Sequence, residues 1–295
     1  MRRAQPLLGT FVEITASGAP PEVLHAAIGR AFGTVADVHH LMSFHEGDSD
    51  VSRLNREAAT RPVRVHPWTY EVLRVASELY EASGGLFDIA IADALQRLGF
   101  LPRVGADRPV TAGARSPEQP VELLPRDRVR FTRHDVRIDL GGIAKGFAVD
   151  RAVETLRTCR VPRGLVNAGG DVAAFGPEPY RVDVRDPRHP GRILLRVQIR
   201  GEAIASSGHA FDRVAGGAAI AIVDPGTGRP ASAVRGASVR APSCVIADAL
   251  TKLVVLAEQS ADALLARYGA SALLVPCRGD ILMSHTWARG VRSAS

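Results

Sequence analysis

Short apolar segments follow one another through glycine-bearing turns over the second half of the chain, and this alternation constrains the fold more than any other feature. "GLVNAG", "VAAFG", "YRVDVRDP" and "RILLRVQIRGEAIASSG" read as strands, the last two as antiparallel partners. "AIAIVDPGTG" is a strand entering a turn, "ASVRAPSCVIADALTKLVVLAE" a strand and then a helix. A last helix at about 260–268 and the hairpin "SALLVPCRGDILMS" close the chain. The first half is richer in helix. After the strand "GTFVEIT", apolar positions recurring at three and four predict helices over 21–41 and 67–83, the second ending at Gly84-Gly85. "SFHEGDSDVSRLN" reads as an acidic loop, "FDIAIADALQRLGF" as a helix or turn-helix, and 101–127, rich in Pro, Arg and Gly, as a loop excursion. "DVRIDL" then predicts a strand that passes through a glycine turn into the helix "AKGFAVDRAVETLRT". Strands that outnumber helices and join by short turns predict an α+β fold with a mixed or antiparallel sheet flanked by helices. A length of 295 residues suits one large domain or two interlocked lobes.

Hydrophobic residues make up 46% of the chain, enough for a buried core, which excludes a disordered chain. The net charge of +6 comes from scattered arginines without a basic block, which an Arg-biased solvated surface explains, and a polyanionic small molecule fits it at least as well as nucleic acid. Cys159, Cys244 and Cys277 are odd in number and far apart, which supports neither a zinc knuckle nor a disulfide framework. Reduced thiols, an N-terminus unlike a signal peptide and no apolar run long enough to span a bilayer predict a cytoplasmic protein without a membrane span, or a membrane-associated or periplasmic one if a leader is missing.

Two composition anomalies mark places where chemistry is expected. The chain uses 35 arginines but two lysines, Lys145 and Lys252, and it has two asparagines, Asn55 and Asn167. Lys145 sits in "DLGGIAKGF", where a glycine turn opens a helix. Free backbone N–H groups there and an adjacent ammonium make an anion site, although glycines for tight strand–helix packing explain the turn equally well. Neither a P-loop nor a dinucleotide fingerprint is present. Asn167 opens the second glycine turn, "NAGGD". Asp139, Asp171, Asp224 and Asp248 sit at element ends or on a helix, where capping and turn-making compete with a role in a cleft. Asp248, Thr251 and Lys252 share one helix face, a spacing that suits oxygen ligation of Mg²⁺ or a plain Asp–Lys pair. His45 and His209 are polar-loop histidines.

Eight stretches in order, "LLGTFVEI", "MSFHEGDSDVSRLN", "GGLFDIAIADAL", "IDLGGIAKGFAVDRA", "GLVNAGGDVAAFG", "AIASSG", "DPGTGRP" and "ADALTKL", together resemble the ApbE family of FAD:protein FMN transferases over nearly the whole chain. The resemblance implies a two-lobed ApbE-like fold. It also implies binding of FAD and Mg²⁺, cleavage of the FAD pyrophosphate, and transfer of FMN to a Ser or Thr hydroxyl of an acceptor flavoprotein. FAD pyrophosphatase activity and flavin binding without catalysis are the alternatives. By resemblance, Phe44, His45 and Glu46, then Leu86, Phe87 and Asp88, then Asp139 and Lys145 face the cofactor. Asn55, the Asn167-Gly169-Gly170-Asp171 turn, Ser207, Ile222 and Thr227 complete that expected set. The Gly142 carbonyl, Asp248 and Thr251 are the expected metal ligands.

Two positions depart from the family pattern. Ala221 stands where a histidine thought to act as base is usual, and "ADALTK" puts Lys252 where a ligating threonine is usual. Two consequences are open: Lys252 replaces part of the metal's charge, with His209 or Asp224 taking the proton, or the site has lost transfer and retains flavin binding only.

Overall fold

The structure, a computed structural model, describes residues 1–103, 118–208, 221–257 and 261–288. In chain order its elements are β1 (Arg2–Leu7), β2 (Thr10–Ser17), α1 (Pro21–Met42), α2 (Asp50–Glu57), β3 (Val63–Arg64), α3 (Pro67–Ala82) and α4 (Ala92–Arg97). Next come β4 (Val121–Leu124), β5 (Arg128–Phe131), α5 (Ala144–Thr158), β6 (Arg163–Ala168), β7 (Asp171–Phe175), β8 (Tyr180–Asp186), β9 (His189–Ile199) and β10 (Ala203–Gly208). The last are β11 (Val223–Asp224), β12 (Arg229–Pro230), β13 (Val234–Ala241), α6 (Cys244–Ala257), α7 (Asp262–Arg267), β14 (Ser271–Pro276), β15 (Leu282–Met283) and α8 (His285–Ala288).

Two compact units divide the chain. Met1–His39, Ile143–Phe211 and Ser232–Ser295 make the first, His40–Gly142 and Asp212–Ala231 the second. The first is organised by an eight-stranded sheet in the order β1-β2-β6-β7-β10-β13-β14-β15, antiparallel at every pairing. The alternating burial of β2 and β6 is the period-two pattern of their sequences, while β7 and β14 are buried almost throughout. β8 and β9 form a separate two-stranded ribbon. Its inner residues Val184, Leu195, Val197 and Ile199 close a core with Val172, Ile204, Leu273, Val275 and Trp287. Each such side chain, fully buried, contributes about 1.5–3 kcal/mol. α5 and α6 pack on each other, and α6 buries nine of its residues, from Cys244 to Val255.

The second unit carries a three-stranded antiparallel sheet, β3-β5-β4, the short pair β11-β12, and a small core of Ala94, Leu95 and Val223. Two local expectations change here. "DVRIDL" makes no strand ladder. Its backbone is held group by group instead: Asn55 Nδ2 donates to the Ile138 carbonyl at 2.9 Å, the Ile138 N–H donates to Asn55 Oδ1 at 2.8 Å, and the Asp139 N–H donates to the Ile89 carbonyl at 2.9 Å. The end of the expected acidic loop is helix α2, because the Ser49 hydroxyl accepts from the Ser52 N–H and caps it. Buried Asp50 then ties α2 to the start of α3 by accepting from the His66 N–H and the Thr69 hydroxyl, both at 2.8 Å. The segment 101–127 contains β4, and its residues 104–117 lie outside the described residues. Among the described residues no helix is long and apolar enough to cross a membrane.

Candidate functional site

Both lysines of the chain, separated by most of a domain in sequence, meet at one carboxylate in the first unit. α5 begins at Ala144 with no side-chain cap at Ile143, which leaves its first-turn N–H groups looking for acceptors. The Gly146 N–H finds one in Asp248 Oδ2 at 3.0 Å. That approach requires glycine, since a Cβ at position 146 would lie 2.3 Å from the Cys244 carbonyl oxygen and 2.8 Å from the Asp248 Cβ. The third glycine of "DLGGIAKGF" is therefore the packing contact between α5 and α6. Lys145, one residue earlier, places its Nζ 4.0 Å from Asp248 Oδ2 and 3.5 Å from Asp171 Oδ2. From one turn further along α6, Lys252 donates to Asp248 Oδ1 and, at 3.0 Å, to the Asp248 carbonyl.

The turn between β6 and β7 supplies the second acid. The Asn167 side-chain oxygen accepts from the Gly170 N–H at 3.0 Å, and Gly169 and Gly170 adopt positive φ of 65° and 107°. This backbone suits glycine, and a Cβ on Gly169 would also strike the Thr10 hydroxyl at 2.7 Å. The turn delivers Asp171 to the first position of β7, where it is buried. Its Oδ2 accepts no hydrogen bond among the described residues and faces the Lys145 ammonium. Ser207, on β10, shares a 2.8 Å hydrogen bond with the Thr251 hydroxyl, which donates to the Asp248 carbonyl at 2.7 Å.

The two buried acids titrate apart. Burial, then repulsion from Asp248, raises the Asp171 carboxyl to about 6. Burial pushes Asp248 upward too, but Lys145, Lys252 and the Gly146 N–H outweigh it and hold the group below the usual carboxylate range. Asp248 is thus the fixed anion of the cluster. Asp150, which sequence reading missed, accepts from the Cys244 and Val245 N–H groups at 2.8 Å each and so caps α6; burial raises it to about 6. Burial and the carboxylates of Asp150, Asp171 and Asp248 push the Cys244 thiol well up, which makes it a poor nucleophile.

The remaining expected residues belong to the second unit, and most are tied into its own structure. Phe44 and Phe87 are buried, and Leu86 and Asp88 partly so. Asp88 Oδ1 accepts from the Ala90 N–H at 2.7 Å, and burial raises its carboxyl. His45 is exposed; Glu46 pairs with His40 at 2.6 Å. Asp139 Oδ2 accepts from the Gly141 N–H at 2.9 Å, and both ends of the Asn55 amide are taken up by Ile138. Asp224 Oδ1 accepts from the N–H groups of Gly226 and Thr227 at 2.8 and 2.9 Å, a turn-making role, while buried Ile222 accepts from the Ala231 N–H. Gly142 falls in this unit, Asp248 and Thr251 in the first, and His209 lies outside the described residues. Among the described residues one group of side chains has three ligand atoms within 4.8 Å of one another, His40, Glu46 and Asp48; it lies at the surface, and nothing else points to an ion there.

Residues 8–274 match the ApbE family. The chain is 29% identical to the FAD:protein FMN transferase of Treponema pallidum, over 92% of this chain and 83% of that one. It is 30% identical to the protein of the same name from Rhodobacter capsulatus, over 91% of this chain and 54% of that one. Among solved structures, the ApbE protein of Thermotoga maritima superposes with a TM-score of 0.85 at 27% identity, covering 99% of each chain. The flavin transferase ApbE of Vibrio cholerae, at 22% identity and a TM-score of 0.81, shares the fold. With a mixed α+β architecture common to these structures and a family match spanning nearly its whole length, this chain belongs to the ApbE family.

Proposed function

We propose that this chain is an FAD:protein FMN transferase, and that the cluster around Asp248 is its phosphate-handling end. The observation that carries this reading is the convergence of both lysines and the N-terminal turn of α5 on one buried carboxylate. Two compact cations and a helix N-terminus, held in place by a fixed anion, are suited to a pyrophosphate. In the reaction, the acceptor Ser or Thr hydroxyl attacks the FMN phosphorus. The bond from that phosphorus to the bridging oxygen breaks, AMP leaves with that oxygen, and the hydroxyl proton passes to a base or to the departing phosphate. Ammonium groups beside the phosphates stabilise the charge that moves onto the leaving oxygen.

Mg²⁺ does not fit the donor atoms. Asp248 Oδ1 is held by Lys252 and Oδ2 by the Gly146 N–H, while the Thr251 hydroxyl is engaged by Ser207 and the Asp248 carbonyl. One observation favours a second reading, flavin binding without transfer: Ala221 offers no base, and the nearby Asp224 carboxylate is engaged in its own turn. Action in the cytoplasm is part of the proposal, in keeping with free cysteines at 159, 244 and 277.

Incubation with FAD and an acceptor flavoprotein tests the proposal. Covalent flavin fluorescence on the acceptor with release of AMP is expected. AMP with free FMN identifies a hydrolase instead, and retained FAD without AMP identifies a binder.

A further inference from the structure

We infer that the Lys252 ammonium holds, at the Asp248 carboxylate, the place a divalent cation would take, so that this chain binds FAD and transfers FMN without one. The transfer half of this statement rests on the function proposed above; the metal half stands on the protein alone.

Asp248 is wholly buried, and a buried carboxylate must be paired, hydrogen-bonded or metal-bound. Here both carboxylate oxygens and the main-chain carbonyl of Asp248 are engaged from within the first unit. Lys252 is pinned by two oxygens of the same residue one helical turn before it, Oδ1 and the main-chain carbonyl. Its side chain is only 16% exposed, which fixes the ammonium in one place. Oδ2 receives the Gly146 N–H and faces Lys145. The adjacent hydroxyl of Thr251 is wholly buried and already engaged by Ser207 and the Asp248 carbonyl.

Charge gives the same answer. Asp171 and Asp248 against Lys145 and Lys252 make a cluster that is neutral with all four groups ionised. A divalent ion seated at Asp248 would stand within a few ångström of two ammonium groups, and Asp150, the other acid at the start of α6, is already taken up by the Cys244 and Val245 N–H groups. An ammonium has no lone pair and cannot join a coordination sphere, so ion and lysine exclude each other. It follows that shortening residue 252 unmasks a cation site. Without its ammonium, Asp248 Oδ1 is a buried anion that a metal can satisfy.

The test uses Mn²⁺ as a spin probe, titrated into the protein without FAD and read by electron paramagnetic resonance. Wild type and Asp248→Asn are expected to give the same isotherm, surface ions at groups such as His40 and Glu46 being common to both. Lys252→Ser is expected to gain one site, and the double variant Lys252→Ser/Asp248→Asn to lose it again. A wild-type Mn²⁺ site that disappears in Asp248→Asn overturns the inference. So does a folded Lys252→Ser protein that gains nothing. Should a variant fail to fold, wild-type FAD affinity in EDTA against millimolar Mg²⁺, from quenching of flavin fluorescence, decides. Agreement within about twofold supports the inference, and binding tighter by about tenfold in Mg²⁺ overturns it. Absence of FAD binding in both buffers counts against the proposed function instead, and the Mn²⁺ isotherms then judge the metal half by themselves.

Discussion

Gly146→Ala separates helix propensity from site geometry, because the two act in opposite directions. In an exposed helix interior, alanine for glycine adds about 1 kcal/mol. At position 146 the new Cβ would sit 2.3 Å from a main-chain oxygen and 2.8 Å from the Asp248 Cβ, neither of which is the free end of a flexible side chain. Ordinary carbon contacts begin near 3.5 Å, so the start of α6 must retreat from α5 by about 1 Å. Overpacking of this kind costs about 1–3 kcal/mol. The retreat also stretches the 3.0 Å bond from the Gly146 N–H to Asp248, and a hydrogen bond to a charged group contributes about 1.5–3 kcal/mol. Against the propensity gain, the net expectation is a loss of about 2–4 kcal/mol. Urea unfolding followed by circular dichroism measures it. Gly33→Ala in α1, where an added Cβ meets nothing within 4 Å, is the matched control and is expected to gain up to about 1 kcal/mol. If Gly146→Ala proves as stable as wild type, or gains as Gly33→Ala does, α5 and α6 do not meet as described and the geometry of the site is wrong with them.

Two further outcomes can be measured. Asp150 and Asp171 have folded-state values raised to about 6, so the folded protein binds their protons more tightly than the unfolded chain does. Their contribution is therefore complete below about pH 4 and is lost as pH rises to about 6, at most about 3 kcal/mol for each. Asp248, held low, loses its contribution as pH falls instead. Urea midpoints between pH 4 and pH 7 are expected to fall less steeply for Asp150→Asn than for wild type, and an unchanged slope refutes the assignment. In the second unit, Asn55→Ala removes both bonds to fully buried Ile138, at a cost of about 2–4 kcal/mol, and should speed hydrogen exchange at the Ile138 amide; unchanged exchange would show that the clamp holds nothing.

Period-two and period-3.6 patterns carried much of the fold. α5 begins and ends where "AKGFAVDRAVETLRT" does, and β6, β7 and β13 lie on the segments that alternate or run apolar. "DVRIDL" misled because alternation reports a half-buried extended segment and not who bonds to its backbone. Its partners are a side chain, Asn55, and a single carbonyl, Ile89. Residues 50–57 misled for the opposite reason: a polar stretch forms a helix when Ser49 caps it and Asp50 finds buried donors on α3.

The site was legible as composition before it was legible as geometry. Where arginine supplies nearly every positive charge, a lysine survives where a guanidinium is the wrong shape, and position 252 shows why. The ammonium there bonds to the carboxylate and the carbonyl of one residue a single turn away, a fit for a compact tetrahedral donor and not for a planar fork on a longer arm. Position 145 needs the same compactness to reach two acids that the β6–β7 turn and α6 bring within 4.0 Å of it. What the sequence could not supply was that Lys145 reaches the same carboxylate as Lys252. Gly146 and Asp248 are 102 residues apart, and only the absence of a side chain at 146 lets their helices close on one carboxylate. Gly146, four residues past the Gly141-Gly142 turn, therefore acts on the anion site indirectly, by setting the distance at which two lysines and a helix end can serve one acid.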